Sequence, residues 1–205
     1  MSVGLNLCQL AEQPAVRSSP EIFLRKLGSL VRLALSAALQ KRDFLRRHTT
    51  SRPLLARGFL LDRARLVLVP VGLEAAVRLL RGRDLTDEGP GLEFARQVVQ
   101  RLHEASRQDG RAVHLETVLG SAEGFAGLRL SDPPTPLRQQ LRTLGQLHAV
   151  GKIGTGVLFG PADKVLAPEE VTDLLRVAWK QTEIVRLVFL RYALPPPRTA
   201  ALWKE

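Results

Sequence analysis

The strongest constraint on the fold is a long stretch in which apolar side chains recur every three or four positions. It lies within residues 18–47, and its members are Phe23, Leu27, Leu30, Val31, Ala34, Leu35 and Ala38. This spacing places all of them on one face of an α-helix. Ser18 and Glu21 have the spacing of a capping box, and Pro20 suits a first turn. The pattern predicts a long amphipathic helix that begins there and runs to about Arg47.

Short apolar segments alternate with further helical patterns along the rest of the chain. Strands are predicted at 3–7, 65–71, 112–118, 157–159 and 184–190, and further helices at 72–80, 87–106, 137–147 and 168–181. This alternation predicts an α/β protein, built either as an open sheet or as a piece of a larger barrel. Residues 1–193 are expected to form a single α/β domain, and the proline-rich end, 194–205, is expected to be a disordered tail.

The chain is strongly basic, with 30 lysines and arginines against 20 acidic residues and a formal net charge of +10. Such charge attracts phosphates when it is concentrated on one surface. Here the arginines are shared among several predicted helices, and the densest run, Arg42 to Arg65, is broken by Pro53 and Gly58. Aromatic residues make up only 5% of the chain, which leaves few rings for stacking on bases. Nucleic acid is therefore expected to bind only non-specifically, with an affinity that falls as salt rises.

Several classes of protein are disfavoured by composition. No segment is apolar for long enough to cross a membrane, and the N-terminus lacks the pattern of an export signal. A single cysteine, Cys8, excludes an internal disulfide and a cysteine-rich zinc site, and the histidines are too scattered to predict a metal site. A cytoplasmic protein with no cofactor of its own is the expectation.

Segments in five regions, taken in chain order, resemble motifs of the class III (anaerobic) ribonucleotide reductases. The family has, in order, a hydrophobic-Asn-Leu-Pro-Arg strand, a Ser-Thr-Ile-Gly element that ends in Gly-Leu-Asn-Glu, and a Gly-x-Asp-Ile-Thr turn before a helix with Phe-Ala. A Leu-Glu-Ala-Thr-Pro-Ala-Glu-Gly strand and a His-x-x-x-Thr-Gly-Gly stretch follow. The similar segments here are GLNLCQLA (4–11), LVLVPVGLE (66–74), GRDLT (82–86) with LEFA (92–95), LET (115–117) with SAEG (121–124), and HAVGKIGTG (148–156). Cys8 and Gln9 stand where the family has Pro-Arg.

The resemblance implies a partial glycyl-radical-enzyme-like barrel of about five strands with long flanking helices. In that family a glycyl radical generates a thiyl radical on a cysteine, which abstracts a hydrogen from the ribose. By the resemblance, the cysteine would lie before Met1, and the glycyl loop and metal site would lie beyond Glu205. The chain alone is therefore expected to be inactive, and no catalytic residue is assigned to it.

Four residues are candidates for substrate binding. Asn6 matches the family's asparagine beside the substrate, although a strand-end amide also satisfies backbone groups. Gly151 and Gly154, with Lys152 between them, are candidates for a phosphate cradle, although a glycine-rich turn explains them equally well. Cys8 could be a nucleophile, but it is expected to be a small buried residue of the first strand.

Three functions remain open from the sequence. The chain could be a fragment or subunit of a split reductase that needs a complementary half. It could be a non-catalytic descendant that acts as an interaction protein or binds a nucleotide or nucleic acid. It could also be a decayed reading frame. An incomplete sheet has unpaired strand edges, and the strand at Val3 is the expected one, so self-association or a partner is predicted.

Overall fold

The computed structural model describes residues 2–48, 66–85, 89–108, 117–119, 137–151, 155–159, 166–182 and 184–188. The strands are β1 (Ser2–Asn6), β2 (Leu66–Val71), β3 (Thr117–Leu119), β4 (Thr155–Phe159) and β5 (Ile184–Val188). The helices are α1 (Leu7–Glu12), α2 (Pro14–Arg17), α3 (Pro20–His48), α4 (Leu73–Arg81), α5 (Pro90–Gln108), α6 (Leu137–Gly151) and α7 (Pro168–Gln181). The predicted tail, 194–205, lies outside the described residues.

The described residues are mostly helical and their strands form two small open sheets, so the prediction of an α/β fold with a partial barrel of about five strands is wrong. One sheet has three parallel strands in the order β1-β2-β3, and the other has two, β4 and β5, also parallel. A barrel needs its strands, about eight in a small barrel, to form one continuous hydrogen-bonded ladder. The described strands form two separate ladders. Most described residues are helical, and the helices supply most of the core.

The long helix predicted from the apolar spacing is confirmed as α3, of 29 residues. Its N-cap is Ser19 rather than the predicted Ser18, because the Oγ of Ser19 accepts a hydrogen bond from the Ile22 N–H at 3.3 Å. The same hydroxyl donates to Glu21 at 2.8 Å, which lowers the pKa of that carboxyl. The buried face of α3 packs against α5, where the rings of Phe23 and Phe94 lie 6.0 Å apart.

A second, smaller apolar cluster lies between α6 and α7. It contains Leu141, Leu144 and Leu174, with Val177 packed against it. Gly145 permits the close approach of the two helices, because a Cβ at this position would collide with the carbonyl oxygen of Gln181. The positions of both helices follow the predictions from sequence.

The first strand begins and ends one residue earlier than predicted, and two short helices follow it. The prediction extended the strand to Leu7 and placed Cys8 within it, whereas Leu7 begins α1 and Cys8 lies in its first turn. The side chain of Asn6 stops the strand by capping this helix. Asparagine is among the preferred N-cap residues, so the local capping interaction overrides the apolar alternation of the segment.

Candidate functional site

The candidate substrate residue Asn6 is used by the local fold. Its Oδ1 accepts a hydrogen bond from the Gln9 N–H at 3.0 Å, which satisfies one of the free donors at the start of α1. Asn6 is exposed, and it is the last residue of β1. This geometry matches the structural interpretation of Asn6 as a strand-end amide that satisfies backbone groups.

Cys8 lies beside Asn6 as a protonated thiol rather than an activated nucleophile. Its Sγ donates to the Oε1 of Glu12 at 3.5 Å. Partial burial raises the pKa of Cys8, and the hydrogen bond and the negative charge of Glu12 raise it further. Reactive cysteines have the opposite environment, in which nearby positive charge stabilises the thiolate.

The turns that follow β1 and β2 are in contact with each other at the carboxyl ends of these strands. Ligands of parallel sheets commonly bind at this edge. Here Gly72 has a φ of +75°, and a Cβ built on it would lie 3.1 Å from the Cβ of Cys8. The turn after β2 thus rests directly on the first turn of α1. Cys8 meets the backbone of Gly72 at this end of the sheet, and Asn6 is exposed beside it.

The glycine-rich candidate is only partly described. Gly151 is the last residue of α6, while Lys152 and Gly154 lie outside the described residues. The same applies to Glu116 and Glu123 of the reductase-like segments. Asn6 and Gly151 are therefore placed in different elements, and the phosphate cradle stays a prediction.

The outer edge of β1 is the strand edge that the sequence predicts to be unpaired, and the pairing of β1 with β2 shows which backbone groups lie on it. In a parallel ladder, one residue of each Cα pair directs both its N–H and its C=O at the neighbouring strand. Leu5 pairs with Pro70 of β2, and proline has no N–H to give. Leu5 must therefore face β2. Because the direction alternates along a strand, Gly4 presents its N–H and C=O to the opposite side.

That opposite side carries no strand among the described residues. The three-stranded sheet ends with β1, whose sequence, SVGLN, has no charged residue and no proline. Natural edges are commonly protected by such residues or by a bulge. The missing N–H of Pro70 breaks no hydrogen bond between β2 and β3, because β3 pairs only with Leu66–Leu68 and ends before it reaches Pro70. The edge of β1 is thus neutral, and no strand of the described residues pairs with it.

A shallow groove of about 490 Å³ lies where α5 meets α6. It is lined by Gly89, Leu92, Glu93, Arg96 and Gln146. Arg96 donates a short hydrogen bond to the Oε1 of Gln146, and its guanidinium lies 3.6 Å from the carboxylate of Glu93. An anion in this groove would compete with Glu93 for the same arginine. In the described part of the chain, no three histidine, cysteine or acidic side chains gather as a metal site.

His148 is the buried titratable residue of α6. It is 3% exposed, and burial lowers its pKa to about 4. The imidazole is therefore neutral at physiological pH. His148 lies within the segment that resembles the reductase family, but its burial makes it part of the core.

Comparison with protein-family models, with curated proteins and with solved structures finds no match to this chain. Among the described helices, none combines the length and apolar character needed to cross a membrane.

Proposed function

We propose that this chain is a non-catalytic interaction protein that associates with a second copy of itself through the edge of β1. The outward N–H and C=O of Gly4, deduced from the pairing of Leu5 with Pro70, carry this proposal. Unpaired backbone groups on a neutral edge are a ready template for strand addition.

A second copy fits the edge because its hydrogen-bonding groups are self-complementary. Gly4 is the middle residue of β1, with Ser2 and Asn6 at equal distances on either side. An antiparallel pair of β1 strands related by a two-fold axis at Gly4 would set Ser2 of each copy opposite Asn6 of the other. Such a contact is isologous, so it closes as a dimer. The two three-stranded sheets would then join into one of six strands.

The state of the candidate chemical groups supports a non-catalytic function. The amide of Asn6 caps α1, and partial burial together with the neighbouring Glu12 raises the pKa of Cys8. Asn6 thus has a structural use where the reductase resemblance would expect substrate contact, and Cys8 lacks the environment of an activated nucleophile.

The test is sedimentation velocity at micromolar concentration with a pair of variants at one position. Gly4→Pro removes the outward N–H, whereas Gly4→Ala keeps it. We expect the wild type and Gly4→Ala to sediment as dimers and Gly4→Pro as a monomer. Higher salt should strengthen the dimer, since the formal net charge of +10 on each copy opposes association.

A second variant, Ser2→Lys, places a charge on the same edge and guards against misfolding of the proline variant. Thermal melts followed by circular dichroism establish that each variant is folded. A folded Gly4→Pro that remains dimeric, or a wild type that is monomeric at every concentration, would refute the proposal.

A subunit of a split reductase is the second candidate function. The sequential parallel order β1-β2-β3 favours it, because both outer strands of that sheet could receive strands from a complementary chain. In that case the wild type would be monomeric alone, and the Gly4→Pro change would abolish binding to the complementary chain instead.

A further inference from the structure

We propose that the outer face of α3 binds an acidic amphipathic helix of a partner protein. This surface, here called the outer stripe, consists of Leu33, Ala37, Gln40 and Phe44. It is separate from the edge of β1 and does not depend on the proposed dimer.

The outer stripe has the spacing of a helix–helix contact. Its residues follow one another at intervals of four, three and four, which aligns them along one side of the helix. All four are exposed, and the two large apolar side chains, Leu33 and Phe44, are 68% and 56% exposed. These two residues are eleven positions apart, which corresponds to about 16 Å along the helix axis.

The inner face of α3 already provides the contact with the protein's own core. Leu27, Val31, Leu35 and Ala38 are buried there, against elements that include α5. An ordinary surface helix needs only one apolar face. The outer stripe is thus a second apolar line on the same helix, placed away from the core.

The charge around the outer stripe specifies the chemistry of the partner. Helix α3 contains seven arginines and lysines and two acidic residues. Lys41 and Arg47, both exposed, lie one helical turn before and after Phe44. Glutamates flanking the apolar line of a partner helix would complement these charges, as in coiled-coil pairing.

The same charge disfavours other occupants. A second α3 would bring two basic helices together. The chain's own segment 49–65 contains four arginines and one aspartate, so it is also basic. A membrane-surface helix needs a broad apolar face, whereas the outer stripe is a single line that contains Gln40.

The experiment measures fluorescence anisotropy of a labelled synthetic peptide with the full-length chain. The probe is a peptide of about three heptads with leucine at the two core positions and glutamate at the flanking positions. Two companion peptides carry lysine in place of glutamate, or serine in place of leucine. We expect the first peptide alone to bind with micromolar affinity.

The variant Leu33→Ser/Phe44→Ser should weaken this binding by at least about tenfold, because it removes both apolar anchors. Lys41→Glu/Arg47→Glu should also weaken the binding of this peptide, because the change replaces two positive charges with negative ones that repel its glutamates. Leu175→Ser on α7, where Leu175 is 50% exposed, is the matched control and should leave binding unchanged. Gly4→Pro should also leave it unchanged, which separates this site from the dimer edge.

Equal binding of the serine peptide would show attraction by charge alone and would overturn the proposal. Equal binding of the lysine peptide, or no effect of Leu33→Ser/Phe44→Ser in a folded variant, would overturn it as well. If phosphatidylglycerol vesicles bind the chain through the same residues while the acidic peptide does not, the stripe is a membrane contact instead.

Discussion

The buried imidazole of His148 makes the stability of the fold dependent on pH in a defined window. His148 is 3% exposed on α6, and burial lowers its pKa from the ordinary 6.5 to about 4. The unfolded chain therefore binds a proton at this residue more tightly than the folded chain does. The contribution of the neutral imidazole to the free energy of unfolding is fully present above pH 6.5. It decreases as the pH falls toward 4, and it changes little below pH 4.

The size of the effect follows from the difference between the two pKa values. Each unit of pKa difference corresponds to about 1.4 kcal/mol, so the full loss across the window is about 3 kcal/mol. Between pH 8 and pH 5 the expected loss is about 2 kcal/mol. This is a large share of the stability of a small domain, which is typically about 5–15 kcal/mol.

The assay is urea denaturation of the wild type and of His148→Leu at pH 8, 7, 6 and 5. Leucine cannot titrate, so the variant should lose about 2 kcal/mol less than the wild type on going from pH 8 to pH 5. His103→Gln, at a half-buried histidine of α5, is the control and should retain the loss seen in the wild type. If His148→Leu loses stability as steeply as the wild type, the burial argument is refuted.

Three further predictions concern the turns, the thiol and the aromatic core. Gly72→Ala should destabilise the protein by about 1–3 kcal/mol, because it forces a Cβ into the left-handed region and against Cys8, 3.1 Å away. Gly82→Ala, also at positive φ but with nothing within 4 Å, should cost only about 1 kcal/mol in the same urea titration; equal costs would show that the Cys8 contact is unimportant. Glu12→Gln should speed the reaction of Cys8 with a thiol reagent at pH 8, because the carboxylate holds the pKa of Cys8 up, and an unchanged rate would contradict that assignment. Phe94→Ala, at a buried ring of α5, should cost about 3–5 kcal/mol, whereas Phe44→Ala, at an exposed ring of α3, should be nearly neutral by thermal melt; similar losses would mean that the ring of Phe44 is buried.

Sequence reasoning predicted the local elements well because their signals are local. The spacing from Phe23 to Ala38 predicted α3, and the acidic residues after Pro168 predicted the start of α7. Glu170 accepts a hydrogen bond from the Ala167 N–H at 3.0 Å, which is one half of a capping box. The choice between Ser18 and Ser19 as the cap depended on backbone geometry that composition does not encode.

The pairing of strands could not be predicted in the same way. The sequence of each strand shows an apolar pattern, but this pattern does not determine which strands are neighbours in a sheet. The resemblance to a reductase suggested a partial barrel, but the described strands form separate sheets of three and two. Residues 112–116, most of the third strand predicted at 112–118, lie outside the described residues, and the described strand there is Thr117–Leu119.

The candidate site was predicted from residue types, and its substrate contacts stay a prediction. The structure adds that the amide of Asn6 caps α1 and that the pKa of Cys8 is raised. The edge of β1 had a signal in Pro70, a proline within a valine-rich strand. The missing N–H of Pro70 determines which residues of β1 direct their N–H and C=O toward β2, but only once the register between β1 and β2 is known.

Amide hydrogen exchange at Gly4 and Leu5, measured at several protein concentrations, tests the proposed dimer most directly. The Leu5 amide faces β2 and should be protected at every concentration. The Gly4 amide should be protected in the concentrated dimer and should exchange rapidly on dilution. Rapid exchange at all concentrations would show that no strand pairs with the edge. Equal protection at all concentrations would show that the chain covers its own edge, and either result would contradict association through β1.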